Sequence, residues 1–435
     1  MNRNKNGFTL VELLAVIVIL AVILVIAVPQ MMNTITESRN GALESSAKLI
    51  ASSAESTMIV NQTLGIDRGI TCEDVSSYNS NDYECSIRVL GNKPYVSLIG
   101  KGKFEGKSIC YATKDGGLKV NGNVCPPLAV EKIEGLAITG NLEGLITDDF
   151  ENIRYSGNNE NVKNYINFNG EDWRIIGIFN VQTSYGIEEK LMKIVSDSSI
   201  GKYSWDSSAR GVNNGYGINQ WGTSTYEDGS VYEGADLMRE LNTLYLNQGS
   251  GDCYKGSNNA STSCDFSTTG IKNAYRGMIE SVVWNTGAFN GVISAEDAYN
   301  AERETRNGKE CTVGNWCDDT VIRTTTWAGK VGLIYPSDYG YASTNNLCRE
   351  NINDSTNKYC KNENWLHNDT NYWAISPYVR VAYANSAWFI EASGYFPFWG
   401  DGYTVNNVRP SVYLKSNVSI TSGDGSSSNP YQLGM

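Results

Sequence analysis

The sequence predicts an α+β protein with a long N-terminal helix, a small antiparallel β module and a large, loop-rich, disulfide-stapled head. Three observations lead to this fold class: an apolar run near the amino terminus, short strand-like segments between glycine turns, and cysteines in close pairs. At 435 residues the chain is too long for one ordinary hydrophobic core. The expected segments are 1–7, 8–58, 59–127, 128–149 and 150–435.

The overall charge is acidic, with a formal net charge of -12 at pH 7. Charged residues make up 19% and hydrophobic residues 41% of the chain, which is typical of a globular protein and not of a disordered one. Proteins that bind nucleic acid irrespective of its sequence need clustered Lys and Arg. We therefore expect no nucleic-acid partner.

The first element is a basic leader followed by a membrane-spanning helix. Residues 1–6 are polar and include Arg3 and Lys5, whereas residues 13–28 contain no polar side chain. A helix over residues 8–28 would be roughly 30 Å long, enough to cross the hydrocarbon core of a bilayer. Because the cations precede the span, the leader should stay in the cytoplasm and the rest should be exported. The sequence thus predicts a single-pass cytoplasmic membrane protein with its head outside.

The order of these segments differs from that of an ordinary secretory signal, which is cleaved after its apolar stretch. Here the small residue suited to processing, Gly7, precedes the apolar run. Cleavage between Gly7 and Phe8 would remove the leader and leave the helix on the mature chain. Glu12 would then lie near the start of a lipid-buried helix, where a carboxylate is costly unless it is paired. The new amino group of Phe8 on another subunit would supply the cation.

The residues GFTLVE (Gly7 to Glu12) and the apolar run after them resemble the processing site of class III prepilins, the type IV pilin and pseudopilin family. The resemblance is close over residues 7–29 and weaker to about residue 58. It implies cleavage by a prepilin peptidase, N-methylation of Phe8, and assembly guided by Glu12 contacting the Phe8 amine of a neighbour. The expected partners are therefore the prepilin peptidase, the cytoplasmic membrane and other pilin subunits, with the cell surface or a pilus as the location after assembly. The alternative is a plain signal anchor with Glu12 at the membrane interface.

The helix should continue past Pro29 and then meet a small sheet. Apolar residues recur there at spacings of three, four or eight, which predicts an amphipathic helix as far as residue 58. Residues 59–127 contain strand-like runs between glycine turns, at 86–90, 95–99, 108–113 and 118–120. A helix packed on such a sheet is also the architecture that the pilin resemblance implies. Pro126-Pro127 marks a boundary, after which 128–149 reads as a connector.

The ten cysteines form five close pairs along the sequence. An even number of cysteines flanked by Gly, Ser, Asn and Asp indicates local disulfides formed in an oxidising compartment. Zinc is the alternative, but the chain has no CxxC motif and one histidine, so we expect no metal site. The pairs are Cys72 with Cys85, Cys110 with Cys125, Cys253 with Cys264, Cys311 with Cys317, and Cys348 with Cys360.

The large region, 150–435, contains all ten tryptophans. Alternating apolar residues on both sides of Asn169-Gly170 predict a β-hairpin. Helices are expected near 234–246 and 294–306, and closing strands near 409–414 and 429–433. Several motifs resemble an uncharacterised family of bacterial surface modules similar to C-type-lectin-like and sulfatase-modifying-factor folds. These are Phe168-Asn169-Gly170 with Trp173-Arg174-Ile175-Ile176, Asp236-Leu237 with Leu241-Asn242, Val331 to Ile334, Tyr372 to Pro377, and Val408 to Leu414.

Enzyme motifs are missing from the sequence. It has no P-loop, GxSxG, HExxH or dinucleotide fingerprint. The single histidine, His367, is expected on a surface loop with no catalytic role. The adjacent acids Asp148-Asp149, Glu188-Glu189 and Asp318-Asp319 are expected to be solvated. We therefore predict a protein that is not an enzyme and that uses no cofactor.

Two Gly-Asp-Gly sequences, at 400–402 and 423–425, are explained by turn formation. Calcium binding by their oxygen atoms is the alternative interpretation. A third feature of this region is a glycine-bounded aromatic loop that contains Tyr395, Phe396 and Trp399. Aromatic side chains on an exported loop can bind a glycan or a cell-surface protein. Burial in the core is the competing explanation.

Taken with the pilin resemblance, these features predict a minor or tip subunit of an extracytoplasmic filament that carries a large adhesion or binding domain. A head of this size would crowd a filament built from this subunit alone. A secretion-system or competence pseudopilin has the same N-terminal chemistry and is the first alternative. An exported enzyme anchored by a pilin-like helix is the second, and it depends on the sulfatase-modifying-factor resemblance.

Overall fold

The computed structural model describes residues 9–435 except 67, 76–77, 141–143, 209–216, 226–230, 290, 292, 305–323, 354–358, 380–384 and 395–399. The chain divides into two compact units, Met1–Pro126 and Pro127–Met435, called here the small unit and the large unit. The segment 128–149, expected as a connector, lies in the large unit. It carries a helix whose first residue, Ala129, donates a backbone hydrogen bond to Val418 at 2.8 Å.

The long N-terminal helix, α1 (Leu10–Thr63), runs without interruption through Pro29 and ends five residues beyond the predicted boundary. Proline is tolerated inside a helix that enters lipid more readily than in a soluble one. Its second half buries an apolar stripe at spacings of three and four, as the sequence pattern predicts. The buried residues are Leu43, Ala47, Ile50, Ala51 and Ala54.

The sheet of the small unit has four antiparallel strands in sequential order. They are β1 (Tyr83–Leu90), β2 (Lys93–Gly100), β3 (Lys107–Thr113) and β4 (Gly116–Asn121). Buried strand residues such as Val96, Leu98 and Ile109 share one core with the α1 stripe. Disulfides Cys72–Cys85 and Cys110–Cys125 tie β1 and β3 to the segments before and after the sheet.

The large unit mixes short helices with many short strands. Its helices are α2 (Ala129–Thr139), α3 (Asp236–Arg239), α4 (Asn273–Arg276), α5 (Ala295–Glu302), α6 (Pro336–Tyr341), α7 (Asn346–Glu350) and α8 (Tyr359–Asn362). A π-helical turn, Glu240–Tyr245, continues α3.

The first strands of the large unit are β5 (Leu145–Thr147), β6 (Ile153–Tyr155), β7 (Tyr165–Phe168), β8 (Glu171–Gln182), β9 (Glu188–Ser196), β10 (Lys202–Ser204), β11 (Ser224–Thr225), β12 (Val231–Tyr232), β13 (Ser250–Tyr254) and β14 (Ser261–Asp265). The later strands are β15 (Val282–Asn285), β16 (Thr326–Gly329), β17 (Val331–Gly332), β18 (Tyr372–Pro377), β19 (Ser386–Ile390), β20 (Gly400–Asp401), β21 (Val405–Asn407), β22 (Ser411–Leu414), β23 (Ser419–Ser422) and β24 (Tyr431–Gly434).

A mixed sheet in the order β17-β22-β9-β8-β7-β24-β23 is the centre of the large unit, with β5 and β6 attached beside β8. The hairpin between β7 and β8 turns at Asn169 and Gly170, whose φ angles of 65° and 80° fit the two-residue turn that the sequence predicts. A second sheet has the order β10-β21-β18-β19-β20. Strand β24 pairs in parallel with β7 and antiparallel with β23, so it lies between these two strands.

The core of the large unit is rich in aromatic side chains. Fully buried tryptophans are Trp173, Trp205, Trp221, Trp284, Trp373 and Trp388. Two more predicted disulfides are present, Cys253–Cys264 and Cys348–Cys360, whereas Cys311 and Cys317 lie outside the described residues. The α+β fold class is confirmed; the C-type-lectin-like form of the large unit stays a prediction.

Candidate functional site: the N-terminal segment

The start of α1 is capped by its own side chains. Thr9 is the N-cap, and its hydroxyl accepts a hydrogen bond from the backbone N–H of Glu12 at 3.3 Å. In return, Oε2 of Glu12 accepts hydrogen bonds at 2.9 Å from both the backbone N–H and the hydroxyl of Thr9. This capping box satisfies two donors at the helix start and orients the Glu12 carboxylate towards the amino terminus.

The first half of α1 displays apolar side chains on every side. Large hydrophobic residues from Leu10 to Val28 are exposed in the single chain. A helix that is hydrophobic all round belongs in lipid or among other apolar helices. By length and composition, α1 can cross a membrane.

Glu12 therefore combines an acidic group with an apolar, membrane-spanning helix. Residues 9–28 include no Lys or Arg, so this stretch of the chain supplies no side-chain cation for the carboxylate. The predicted processing residues, Gly7 and Phe8, lie outside the described residues.

Residues 2–28 match the prokaryotic N-terminal methylation motif. The motif and the apolar helix indicate a type IV pilin-like or pseudopilin-like protein. The motif also implies processing by a prepilin peptidase and assembly with other pilin-type subunits. The pilin-like chain is thus membrane-anchored and extracytoplasmic, in agreement with its disulfides.

The match to the methylation motif ends at Val28, the last residue of the apolar run. No curated protein and no solved structure is similar to the chain at a significant level. The function of the large unit can therefore be inferred only from its own residues.

The one histidine of the pilin-like chain is buried, so its predicted place on a surface loop is wrong. His367 is 8% exposed, and its Nε2 lies 3.3 Å from Asp369 Oδ1. Nδ1 lies 3.5 Å from the hydroxyl of Tyr339. Burial lowers the pKa of His367, because the charged imidazolium loses hydration. The preceding residues Trp365 and Leu366 are also buried, which explains why the imidazole lies in the core.

Two of the acids expected to be solvated are buried instead. Asp148 forms an ion pair with Arg154 and accepts a hydrogen bond from the backbone of Asn152. Glu189 accepts a hydrogen bond from the hydroxyl of Ser416 at 2.8 Å. These hydrogen bonds and the ion pair offset the cost of burying the two carboxylates. The partner of Glu189 is 227 residues away, whereas Asn152 and Arg154 follow Asp148 by four and six residues. Asp318 and Asp319 lie outside the described residues.

The Gly-Asp-Gly sequences lie at a strand and a turn. Gly400 and Asp401 form β20, which pairs with Ala387 and Ser386 of β19. Asp424 accepts hydrogen bonds from the backbone and the hydroxyl of Ser426, which is turn chemistry. Across the described residues, no group of three or more His, Cys, Asp or Glu side chains is arranged to hold a metal ion.

The predicted binding residues Tyr395, Phe396 and Trp399 lie outside the described residues. The residues on either side of them are described. The carbonyl of Gly394 accepts a hydrogen bond from the buried Tyr339 hydroxyl at 2.7 Å, and Gly400 begins β20. Both ends of the predicted loop are thus attached to ordered parts of the large unit.

The large unit contains a buried network of charges that the sequence does not predict. Asp338 of α6 lies between Lys193 Nζ at 2.6 Å and Arg154 Nη1 at 3.0 Å. Lys193 also lies 4.0 Å from the ring centroid of Tyr335. Burial lowers the pKa of Lys193 to about 8, and Lys193 and Arg154 together keep the pKa of Asp338 below its usual value. A lysine within an otherwise apolar strand, Leu191 to Val195, is the signal that could have indicated this network.

Proposed function

We propose that the chain is a minor or tip subunit of an extracytoplasmic filament and that its large unit is a binding head. The observation that carries this proposal is the methylation motif with Glu12 at the start of an exposed apolar helix. The large unit, Pro127–Met435, is more than twice as long as the small unit. Such bulk on every subunit would crowd a filament, which favours a minor or terminal position.

Assembly would depend on an ion pair between subunits. The two hydrogen bonds from Thr9 stabilise the Glu12 carboxylate but leave its negative charge uncompensated. In hydrocarbon an unpaired charge is costly. Cleavage after Gly7 would give a neighbouring subunit a positive amine at Phe8, close to the start of the same apolar helix. Pairing with that amine would neutralise Glu12 when subunits associate.

The test compares Glu12→Ala with Glu37→Ala in cells that produce the chain. Glu37 is a matched control, because it is an exposed acid on the same helix outside the apolar run. We expect the wild type and Glu37→Ala in filaments sheared from the cell surface. Glu12→Ala should be reduced there by about tenfold, because it removes the acidic partner of the ion pair between subunits. Its level in the membrane fraction should be unchanged.

Two results would contradict this proposal. One is a wild-type chain that stays wholly in the membrane fraction of cells that assemble filaments. The other is a Glu12→Ala chain that enters filaments as efficiently as Glu37→Ala.

Binding, and not catalysis, is the proposed role of the head. The single histidine is engaged with Asp369 and Tyr339, which are not nucleophiles of the kind that histidine activates in hydrolases. The loop with Tyr395, Phe396 and Trp399 is one proposed contact for a glycan or a cell-surface protein. Its support is the aromatic composition and the attachment of Gly394 and Gly400.

A further inference from the structure

A polar cleft lies at one end of the central sheet of the large unit. It encloses about 320 Å³, near the lower end of the range for small-molecule sites. The connection between β6 and β7 forms one wall, with Asn159, Glu160 and Lys163, and the turn after β23 forms the other, with Ser427. The two walls are joined where the backbone N–H of Tyr165 donates to the carbonyl of Gly425 at 2.8 Å.

The wall that contains Asn159 and Tyr165 is held in place by one buried arginine. Arg174 is 0% exposed, and its Nη1 donates to Oδ1 of Asn159 at 2.6 Å. Its Nε donates to Oδ1 of the buried Asn164 at 2.5 Å. The guanidinium carbon lies 3.8 Å from the ring centroid of Tyr165. Arg174 therefore fixes an amide and an aromatic ring of the cleft before any ligand arrives, which reduces the ordering cost of binding.

The side chains of the cleft can exchange hydrogen bonds in both directions. Asn159 and Asn161 offer amide donors and acceptors, Glu160 accepts, Lys163 donates, and Ser427 does both. The two charged groups have opposite signs, so the lining has no strong preference for an anion or a cation. An apolar ligand would leave most of these groups without partners.

We infer that the polar cleft binds a neutral sugar unit of a glycan. A pyranose ring presents hydroxyls that donate and accept, together with a C–H face that can pack on the half-buried ring of Tyr165. The inference rests on the proposed function, since it names the ligand class and the contact surface of the binding head. It places a contact surface at residues 159–165, separate from the proposed contact at the aromatic loop.

The test uses the full-length chain in detergent on an array of neutral and sialylated oligosaccharides. Tyr165→Ala removes the ring, and Asn161→Ala removes an exposed amide without disturbing Arg174. Tyr185→Ala is the matched control, because Tyr185 is a tyrosine of the same unit that is 72% exposed. Thermal unfolding of each variant, followed by tryptophan fluorescence, reports whether the large unit is still folded.

The wild type and Tyr185→Ala should bind at least one neutral glycan equally well. Tyr165→Ala should weaken binding about tenfold or more, the effect of losing an aromatic contact, and Asn161→Ala should weaken it severalfold with an unchanged melting temperature. Absence of glycan binding by the folded wild type overturns the inference, as does binding only to sialylated oligosaccharides.

Two further outcomes separate the cleft from the proposed function. Glycan binding that persists in both cleft variants but is lost in Trp399→Ala leaves the binding head intact and overturns the cleft. Binding that is lost in the cleft variants supports the cleft even where the Glu12→Ala experiment shows that the chain does not enter filaments.

Discussion

The cores of the two units differ in how many polar and charged residues they bury. In the small unit, the described buried residues are almost all apolar: Ile50 of α1 packs with Val96 and Leu98 of β2, and Ser97 and Ser108 are its buried polar residues. The large unit buries ion pairs, such as Arg154 with Asp338, and it also buries single acids. The small unit is held by burial of apolar surface, whereas the large unit also depends on the charge state of buried groups.

This difference determines how each unit responds to change. An apolar core loses stability in proportion to the surface and volume removed, and pH has little effect on it. A core with buried acids binds protons more tightly than the unfolded chain does, so its stability depends on pH. The pKa of Asp74 in the small unit is lowered by a hydrogen bond from the Thr71 backbone, so this acid titrates below the neutral range.

The largest predicted effect concerns the core of the small unit. Ile50 is 0% exposed, whereas its neighbour Leu49 is 58% exposed. Ile50→Ala should lower the free energy of unfolding of the small unit by about 2–4 kcal/mol, because it leaves a cavity between helix and sheet. Leu49→Ala should change it by less than about 0.5 kcal/mol. Hydrogen exchange of peptides from residues 83–121 measures both values.

Peptides from residues 165–196 of the large unit provide the control for this experiment. Their exchange should be the same in the wild type and in Ile50→Ala. Equal effects of Ile50→Ala and Leu49→Ala would show that the stripe of α1 does not stabilise the small unit.

The pH dependence of the large unit is predicted to be a smaller effect over any single pH unit. Burial raises the pKa of Glu240 from 4.5 to about 8, so the folded chain keeps this proton while the unfolded chain releases it. Stability should therefore fall as pH rises from about 4.5 to 8, by about 1.4 kcal/mol per pH unit for one such group. Asp206 and Glu302, whose pKa values burial raises to about 7, act in the same direction. His367, whose pKa burial lowers, acts in the opposite direction but is one group against three.

Glu240→Gln should make this pH profile less steep between pH 6 and 7, whereas Glu188→Gln, at an exposed site of the same unit, should leave it unchanged. All ten tryptophans lie in the large unit, so thermal unfolding followed by their fluorescence reports on that unit alone. A wild-type melting temperature that rises between pH 6 and 7 would contradict the proposed effect of the buried acids.

Much of the fold could be predicted from the sequence, because local patterns specify it. The α1 stripe follows helical spacing, and Asn169-Gly170 gives the turn between β7 and β8. Four cysteine pairs close as expected, since each pair is near in sequence and the loops between them are short. At the N-terminal site, the apolar run and Glu12 were recognisable because that chemistry is contained in consecutive residues.

The sequence did not predict where the polar residues of the large unit lie. His367, Asp148 and Glu189 look like surface residues, and each is buried. Glu189 is buried against Ser416, which is 227 residues away. The partners of Asp148 and His367 include residues within six positions, but their burial depends on how the whole unit folds around them. The polar cleft likewise combines two turns that are far apart in the sequence. Such juxtapositions follow from the sheet order and not from spacing.

We propose that the N-terminal segment is processed and assembles as that of a type IV pilin-like protein. Mass spectrometry of the N-terminal peptide, from native protein in cells with an active prepilin peptidase, tests it most directly. We expect a chain that begins at Phe8, lacks residues 1–7 and carries one additional methyl group on its amine. A chain that still begins with Met1 in those cells would contradict it.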